Sequence, residues 1–358
     1  MRDELAAELL AQVMQWDAPK LAEHGDALQR LARYKYDEYE GFRPGEKFLE
    51  SLARWLWQLP DLDERRTAVS FVLERLIFIS RAELDHAIEL VYPDVVRPLL
   101  RDHVSKELNL SPHLVHQITS SAEFQANQRK TLILGLADGA RLDRLRRGST
   151  VLSHEQFFLV PDLLPGVATE MQEKLAEALQ QLNLPGPNVF QHVILVDDFS
   201  GTGFTLIRPT NGGWKGKLPD AGRNIEGLKG QGVMAQDATV TVVLYVASEL
   251  AETHIGAQLK AAGLDWSVRV VQRIPNIARV TTGPFADLCT RYYDPILTDR
   301  HKGSAALGYR DAGLPLVLSH NTPNDSLGLL WGDTTERDGS NNRRALFPRF
   351  ERHHVERP

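Results

Sequence analysis

The sequence predicts a mixed α/β fold, a mainly parallel sheet flanked by helices, preceded by an all-helical N-terminal region. Three observations predict it. Apolar residues recur at helical spacing through residues 1–125, five short apolar runs follow between Thr131 and Gln272, and amphipathic segments separate several of those runs. The domain boundaries read from this change of pattern are 1–125 for the helical region, 126–275 for the α/β core and 276–358 for a C-terminal extension or hood.

The elements follow in order. Leu5, Leu9, Val13 and Trp16 make one apolar stripe, and Leu21, Leu28 and Leu31 a second. Phe48, Leu52, Trp55, Leu56 and Leu59 form the strongest stripe, closed by Pro60. Asp61 or Asp63 caps the next helix, with Val69, Val72, Leu73, Leu76 and Ile77 on its inner face, and a further helix spans Arg81 to Val91. Then the period changes. Thr131–Gly135, Phe157–Val160, His192–Val196, Thr239–Val246 and Val268–Gln272 are short, β-branched and apolar on both sides, as strands of a parallel sheet buried on both faces must be. Val167–Leu182 and Glu249–Ala262 are crossover helices. Pro209 to Gly232, rich in Gly, Lys and Asn, reads as a long mobile loop. From Pro275 the signals turn irregular, and the end from Arg349 reads as a frayed tail.

A net charge of -6 and a pI near 6.1 argue against a dedicated nucleic-acid binder, which needs a basic face. Cys289 is the single cysteine, which removes an internal disulfide and any cysteine-based zinc site and fits a reducing compartment. The charged start Met1–Glu4 lacks the core of a signal peptide, and no run nears the roughly 18 apolar residues of a membrane span. A cytoplasmic protein with no membrane partner is expected.

The sharpest signal is Val193-Ile-Leu-Val-Asp197-Asp198-Phe-Ser200-Gly201-Thr202-Gly203-Phe-Thr205. An apolar strand reaches two adjacent acids and passes into a loop of small residues, and ligands of open α/β sheets gather at such carboxyl ends. Ser200, Gly201, Thr202, Gly203 and Thr205 supply hydroxyls and approachable backbone for a phosphate, helped by the N-terminus of the helix expected next. Asp197 and Asp198 cannot bind that phosphate. They suit ribose hydroxyls, or a Mg2+ ion held on a diphosphate. An earlier strand end supplies a companion loop, where Asp138 and Gly139 precede Arg141, Arg144, Arg146 and Arg147, and such arginines can clamp a diphosphate. Near the C-terminus, an apolar run at Leu316 that should join or cover the sheet ends in the polar turn His320-Asn321-Thr322-Pro323-Asn324, whose amides offer the donors and acceptors a base edge requires. Ordinary turn closure is the plainer account of the same residues.

These motifs resemble the phosphoribosyltransferase family. Four apolar residues, two acids and Thr-Gly-x-Thr match at Val193–Val196, Asp197–Asp198 and Thr202–Thr205, while Phe199, Ser200 and Gly201 depart from the usual aliphatic pair and hydroxyl residue. The resemblance implies Asp197 and Asp198 as catalytic acids on the ribose diol and as Mg2+ ligands, and Ser200, Gly201, Thr202, Gly203 and Thr205 on the 5-phosphate. It places Asp138, Gly139 and Arg141 on the pyrophosphate and leaves His320, Asn321 and Asn324 as candidates for the base. The segments Phe48–Leu56, Gly135–Gly139, His320–Asn324, Leu329–Trp331 and Leu346–Arg349 further resemble a subgroup of bacterial conflict and antiphage systems, so that the likeness extends from Tyr34 to Arg349. It implies an enzyme acting on phosphoribosyl pyrophosphate or a nucleotide at the anomeric carbon, as a toxic effector of a defence system such as a retron. Two other readings stand beside it. One is a regulatory module that binds the ligand without catalysis. The other makes the helical N-terminal region, with Trp55 and Trp57, a docking surface for a protein or ribonucleoprotein partner; an oligomer is also compatible.

Overall fold

Alternation of buried and solvent-facing residues sets each element, and its consequence is a chain that divides into two compact units. The computed structural model describes residues 3–160, 165–184, 186–298, 305–334 and 343–349. The first unit joins residues 1–83 to 275–358, and the second is residues 84–274. His353 and His354, with the rest of the expected tail past Arg349, lie outside the described residues. The described strands are β1 (Ile77–Ile79), β2 (Thr131–Gly135), β3 (Phe157–Leu159), β4 (Phe190–Ser200), β5 (Arg208–Thr210), β6 (Gly213–Lys215), β7 (Met234–Ser248), β8 (Ser267–Ile274) and β9 (Leu316–Leu318).

In the first unit the stripe beginning at Phe48 forms the helix Phe48–Trp57, with Phe48, Leu52 and Leu56 fully buried. Trp55 is core and donates its indole N–H to the Leu329 carbonyl at 3.0 Å, whereas Trp57 is 68% exposed. The Leu346–Arg349 motif contributes Phe347, which packs among Tyr36, Tyr39, Phe48 and Phe78. The helix Leu62–Glu74 is capped by Asp61, whose carboxylate accepts from the Asp63 N–H at 2.8 Å. Two expectations fail here. Ile77 leaves the helix and enters β1, and the run Leu316–Leu318 does not join the main sheet but pairs in parallel with β1 as β9. Three β-branched or aromatic residues in a row, Ile77-Phe78-Ile79, favour the strand once a partner is present.

In the second unit five parallel strands stand in the order β3-β2-β4-β7-β8. Side chains alternate between faces along a strand. Val193 and Leu195 of β4, with Val242 and Leu244 of β7, pack against Met171, Leu175 and Leu179 of the helix Pro165–Gln181. Ala221, Ile225 and Leu228 of the helix Lys217–Gly230, and Ala251, Ile255 and Leu259 of the helix Glu249–Ala261, complete that layer. Residues of the other parity meet different elements. His192 bonds Asn127 of the helix Ala122–Arg129 at 2.9 Å, and its ring lies edge-on to His103 of the helix Arg97–Glu107.

The segment read as a mobile loop is ordered. β5 and β6 form an antiparallel hairpin around Asn211-Gly212, and the helix Lys217–Gly230 follows directly. Its glycines masked the apolar positions Leu218, Ala221, Ile225 and Leu228, which have helical spacing and are buried. Among the described residues no helix is long and apolar enough to cross a membrane.

Candidate functional site

β4 does not stop at the acids. It continues in register with β7 through Asp197↔Leu244 and Phe199↔Val246 to Ser200↔Ala247. Neighbouring side chains on an extended strand point to opposite faces, so the two acids part company. Asp197 is 1% exposed, on the face of the helix Lys217–Gly230, and its Oδ2 accepts from the Lys217 ammonium at 2.6 Å. Its Oδ1 is buried with no hydrogen-bond partner. Burial pushes the Asp197 carboxyl up to about 6, against the pull of Lys217 and with a push from Asp198. Asp198 is half-buried on the other side, where its Oδ1 accepts the Phe199 N–H at 2.8 Å and its Oδ2 would lie 3.0 Å from a Cβ at Gly139.

That last contact joins the two loops that the sequence separates by some sixty residues. The turn Asp138–Ala140 leaves the end of β2, beside β4 in the sheet, and Gly139 is the residue that admits the Asp198 carboxylate. Tyr245 of β7 pins the turn by donating to the Ala140 carbonyl at 2.5 Å, and burial drives the pKa of that hydroxyl far up. Asp138 is exposed, and Arg141 follows in the left-handed region at φ 47°. Arg144 is engaged elsewhere, 2.6 Å from Glu89 and 3.5 Å from Asp85 of the helix Arg81–Glu89, so the clamp expected of the four arginines is reduced.

The small-residue loop is built against the helix Glu249–Ala261 rather than ahead of a helix of its own. Gly203 and Ile207 close a single turn (Ile207 N–H to the Gly203 carbonyl, 3.0 Å), after which the chain enters β5. The helix N-terminus expected to follow Thr205 is therefore absent there. Ser248 caps the helix Glu249–Ala261, accepting from the Ala251 N–H, while its hydroxyl donates to the Gly201 carbonyl. Gly203 has φ 80°, and a Cβ there would lie 2.9 Å from His254 and 3.1 Å from the Ala251 carbonyl. Its glycine is thus required by packing, where the sequence suggested approach to a phosphate. Ser200 and Thr202 are buried, and Thr205 is exposed. The Ser200 hydroxyl has no hydrogen-bond partner.

A Mg2+ ion shared by the acid pair does not fit this arrangement. Asp197 already holds Lys217, Asp198 faces the other way, and no cluster of three metal-ligating side chains occurs among the described residues. The pairing of Lys217 with Asp197 is what sequence reading did not anticipate. It stands in the Lys-Gly-Lys segment set aside with the supposed loop.

His320, Asn321 and Asn324 belong to the first unit. There the Asn321 side chain accepts from the Thr322 N–H at 3.0 Å, within the turn, and the Asn324 carbonyl accepts from the Tyr309 N–H at 2.8 Å, which ties the turn to an earlier segment. Thr322 is buried, with Tyr39 3.0 Å from its hydroxyl.

No curated protein and no solved structure matches the chain. A family model described as PRTase-CE matches residues 52–349, which takes in both loops, the acid pair and the C-terminal turn. With most of its length matched, and a parallel sheet carrying the acids and the small-residue loop at its carboxyl edge, the chain belongs to the PRTase-CE family, a phosphoribosyltransferase-type family.

Proposed function

We propose that the second unit binds a phosphoribosyl group and acts at its anomeric carbon, taking phosphoribosyl pyrophosphate or a nucleotide as substrate. The observation that carries this reading is the meeting of the two loops at Asp198 and Gly139. One loop offers a ribose acceptor beside hydroxyls and backbone for the 5-phosphate. The other offers the turn from Asp138 to Arg141 for the pyrophosphate, at the neighbouring strand end. With phosphoribosyl pyrophosphate the C1–O bond to diphosphate breaks and its electron pair leaves with the diphosphate; with a nucleotide the C1–N bond breaks and its pair leaves with the base, which takes a proton from solvent. A nucleophile supplies the new pair to C1, and any proton it sheds goes to solvent. The sugar passes through a cation-like state, so fixed charges and hydrogen bonds carry most of the catalysis. Asp198 would accept from the ribose hydroxyls, Arg141 would offset charge on the diphosphate, and the Ser200 hydroxyl would donate to the 5-phosphate.

The context proposed with it is a toxic effector in antiphage defence, acting on nucleotides in the cytoplasm, and it rests on the sequence resemblance. One observation favours a second reading, a ligand-binding regulator without turnover: the Lys217 ammonium already occupies Asp197, one acid of the pair. Incubating the chain with phosphoribosyl pyrophosphate and a nucleotide pool, followed by mass spectrometry, decides between them. Released diphosphate or a cleaved nucleotide, lost in Asp198→Asn, supports the enzyme. Ligand retained unchanged supports the regulator, and no retained or altered ligand rejects both.

A further inference from the structure

Lys217 is the feature of the second unit that the proposed reaction leaves without a role. Its ammonium is 2.6 Å from Asp197 Oδ2, and the lysine side chain is 34% exposed while the aspartate side chain is 1% exposed. Several constraints hold it there. Lys217 opens the helix Lys217–Gly230, where its own N–H donates to the Thr205 carbonyl at 3.2 Å and the Leu218 N–H donates to the Leu206 carbonyl at 2.9 Å. The lysine is thereby fastened to the loop that offers the phosphate-binding groups. Gly216, just before it, has φ 130°, and a Cβ there would lie 2.4 Å from the Leu206 carbonyl oxygen, so the approach of the two segments depends on glycine. Asp197 is itself fixed within β4 by its register with β7.

The charges require such a partner. A carboxylate taken this far from water is tolerated only when an opposite charge and hydrogen bonds compensate it. In sites that bind phosphorylated sugars a divalent ion is one source of that compensation; here a side chain of the same unit supplies it. An ammonium carries three donors, and one is directed at Asp197. Asp197 Oδ1 and the Ser200 hydroxyl, both buried without partners, add unused hydrogen-bonding capacity at the same strand end.

On the reading that this loop binds a phosphoribosyl group, we propose that Lys217 is the resident cation of the site, standing at Asp197 where a divalent metal would otherwise sit. Ribose 5-phosphate therefore binds without a metal ion. Lys217 acts as a positioning residue: it holds Asp197 in place and keeps a positive charge fastened to the loop that offers the phosphate-binding groups.

The test is calorimetric titration of the full chain with ribose 5-phosphate, a probe lacking the diphosphate that would bring its own metal. Titrations are run in EDTA and in excess Mg2+. The wild type is expected to bind equally in both. Lys217→Met is expected to bind roughly tenfold more weakly in EDTA, the size of one charge-assisted hydrogen bond. Mg2+ should restore it by entering the opened carboxylate, and Lys217→Arg should keep metal-free binding. Wild-type binding that demands Mg2+ overturns the inference and leaves the phosphoribosyl site intact, and this arm needs no variant to fold. Equal binding by folded Lys217→Met and wild type in EDTA overturns it too. Absence of ribose 5-phosphate binding by the wild type in either buffer rejects the site itself, and the inference with it.

Discussion

Replacing Asp197 by Asn should stabilise the protein and weaken ligand binding together. The side chain keeps its shape, so β4 and its register are retained, but a buried charge is removed. In the folded chain burial holds this carboxyl near 6, against an ordinary 3.8. Below pH 4 the group is protonated whether folded or unfolded and contributes nothing. Between about 4 and 6 the folded state binds the extra proton, so rising pH favours unfolding. Above 6 the full penalty applies, about 3 kcal/mol from the separation of the two values. Lys217, a third exposed, returns to water at little cost once its partner is neutral. The assay is urea or thermal unfolding of wild type and Asp197→Asn from pH 4 to pH 8. Their difference should grow through the window and level off near 3 kcal/mol at most, roughly 6–12 °C in Tm for a unit of this size. A difference that is flat with pH, or that shrinks as pH rises, refutes the claim that a raised, buried carboxyl sits at this position.

Asp198→Asn should behave differently, because the group is half-buried and its amide oxygen can still accept the Phe199 N–H: phosphoribosyl binding falls while the melting temperature stays within a few degrees of wild type. Gly203→Val should cost about 2–4 kcal/mol, combining a left-handed φ with collisions at His254 and Ala251, so a lower urea midpoint is expected and an unchanged one would contradict the packing assigned to it. His192 is held down to about 4 by burial, against an ordinary 6.5, so its contribution to stability is complete above pH 6.5 and is lost as pH falls toward 4. The ring signals of His192 in an NMR pH titration should therefore stay those of neutral imidazole at pH 5.5; a midpoint near 6.5 would show that the ring is not buried as described.

The parallel sheet was legible because its strands are apolar on both faces and its helices amphipathic, and both patterns survive in a single sequence. The acid pair and the small-residue loop were legible because strand end, acids and glycines are contiguous. What escaped was whatever depends on distant pairing. β1 is three residues long and is stabilised by β9, far along the chain, so local period assigned Ile77 to a helix. Lys217 meets Asp197 only after a hairpin and a helix start are recognised, and the glycines of 212–216 that make the hairpin possible also made the segment look unstructured. The continuation of β4 through Asp197 and Asp198, which sends the two acids to opposite faces, depends on β7 running alongside to Ala247. Arg144 likewise looked like a ligand clamp until Glu89 and Asp85, on a helix that precedes its own loop, came within reach.

Whether a phosphoribosyl group binds where the two loops meet is decided by a crystal structure of the chain with ribose 5-phosphate. The 5-phosphate is expected against Ser200–Thr205, the ribose hydroxyls on Asp198, and Lys217 still on Asp197. Ribose 5-phosphate bound elsewhere, with Asp198 untouched and the Ser200–Thr205 loop packed only against the helix Glu249–Ala261, would contradict it.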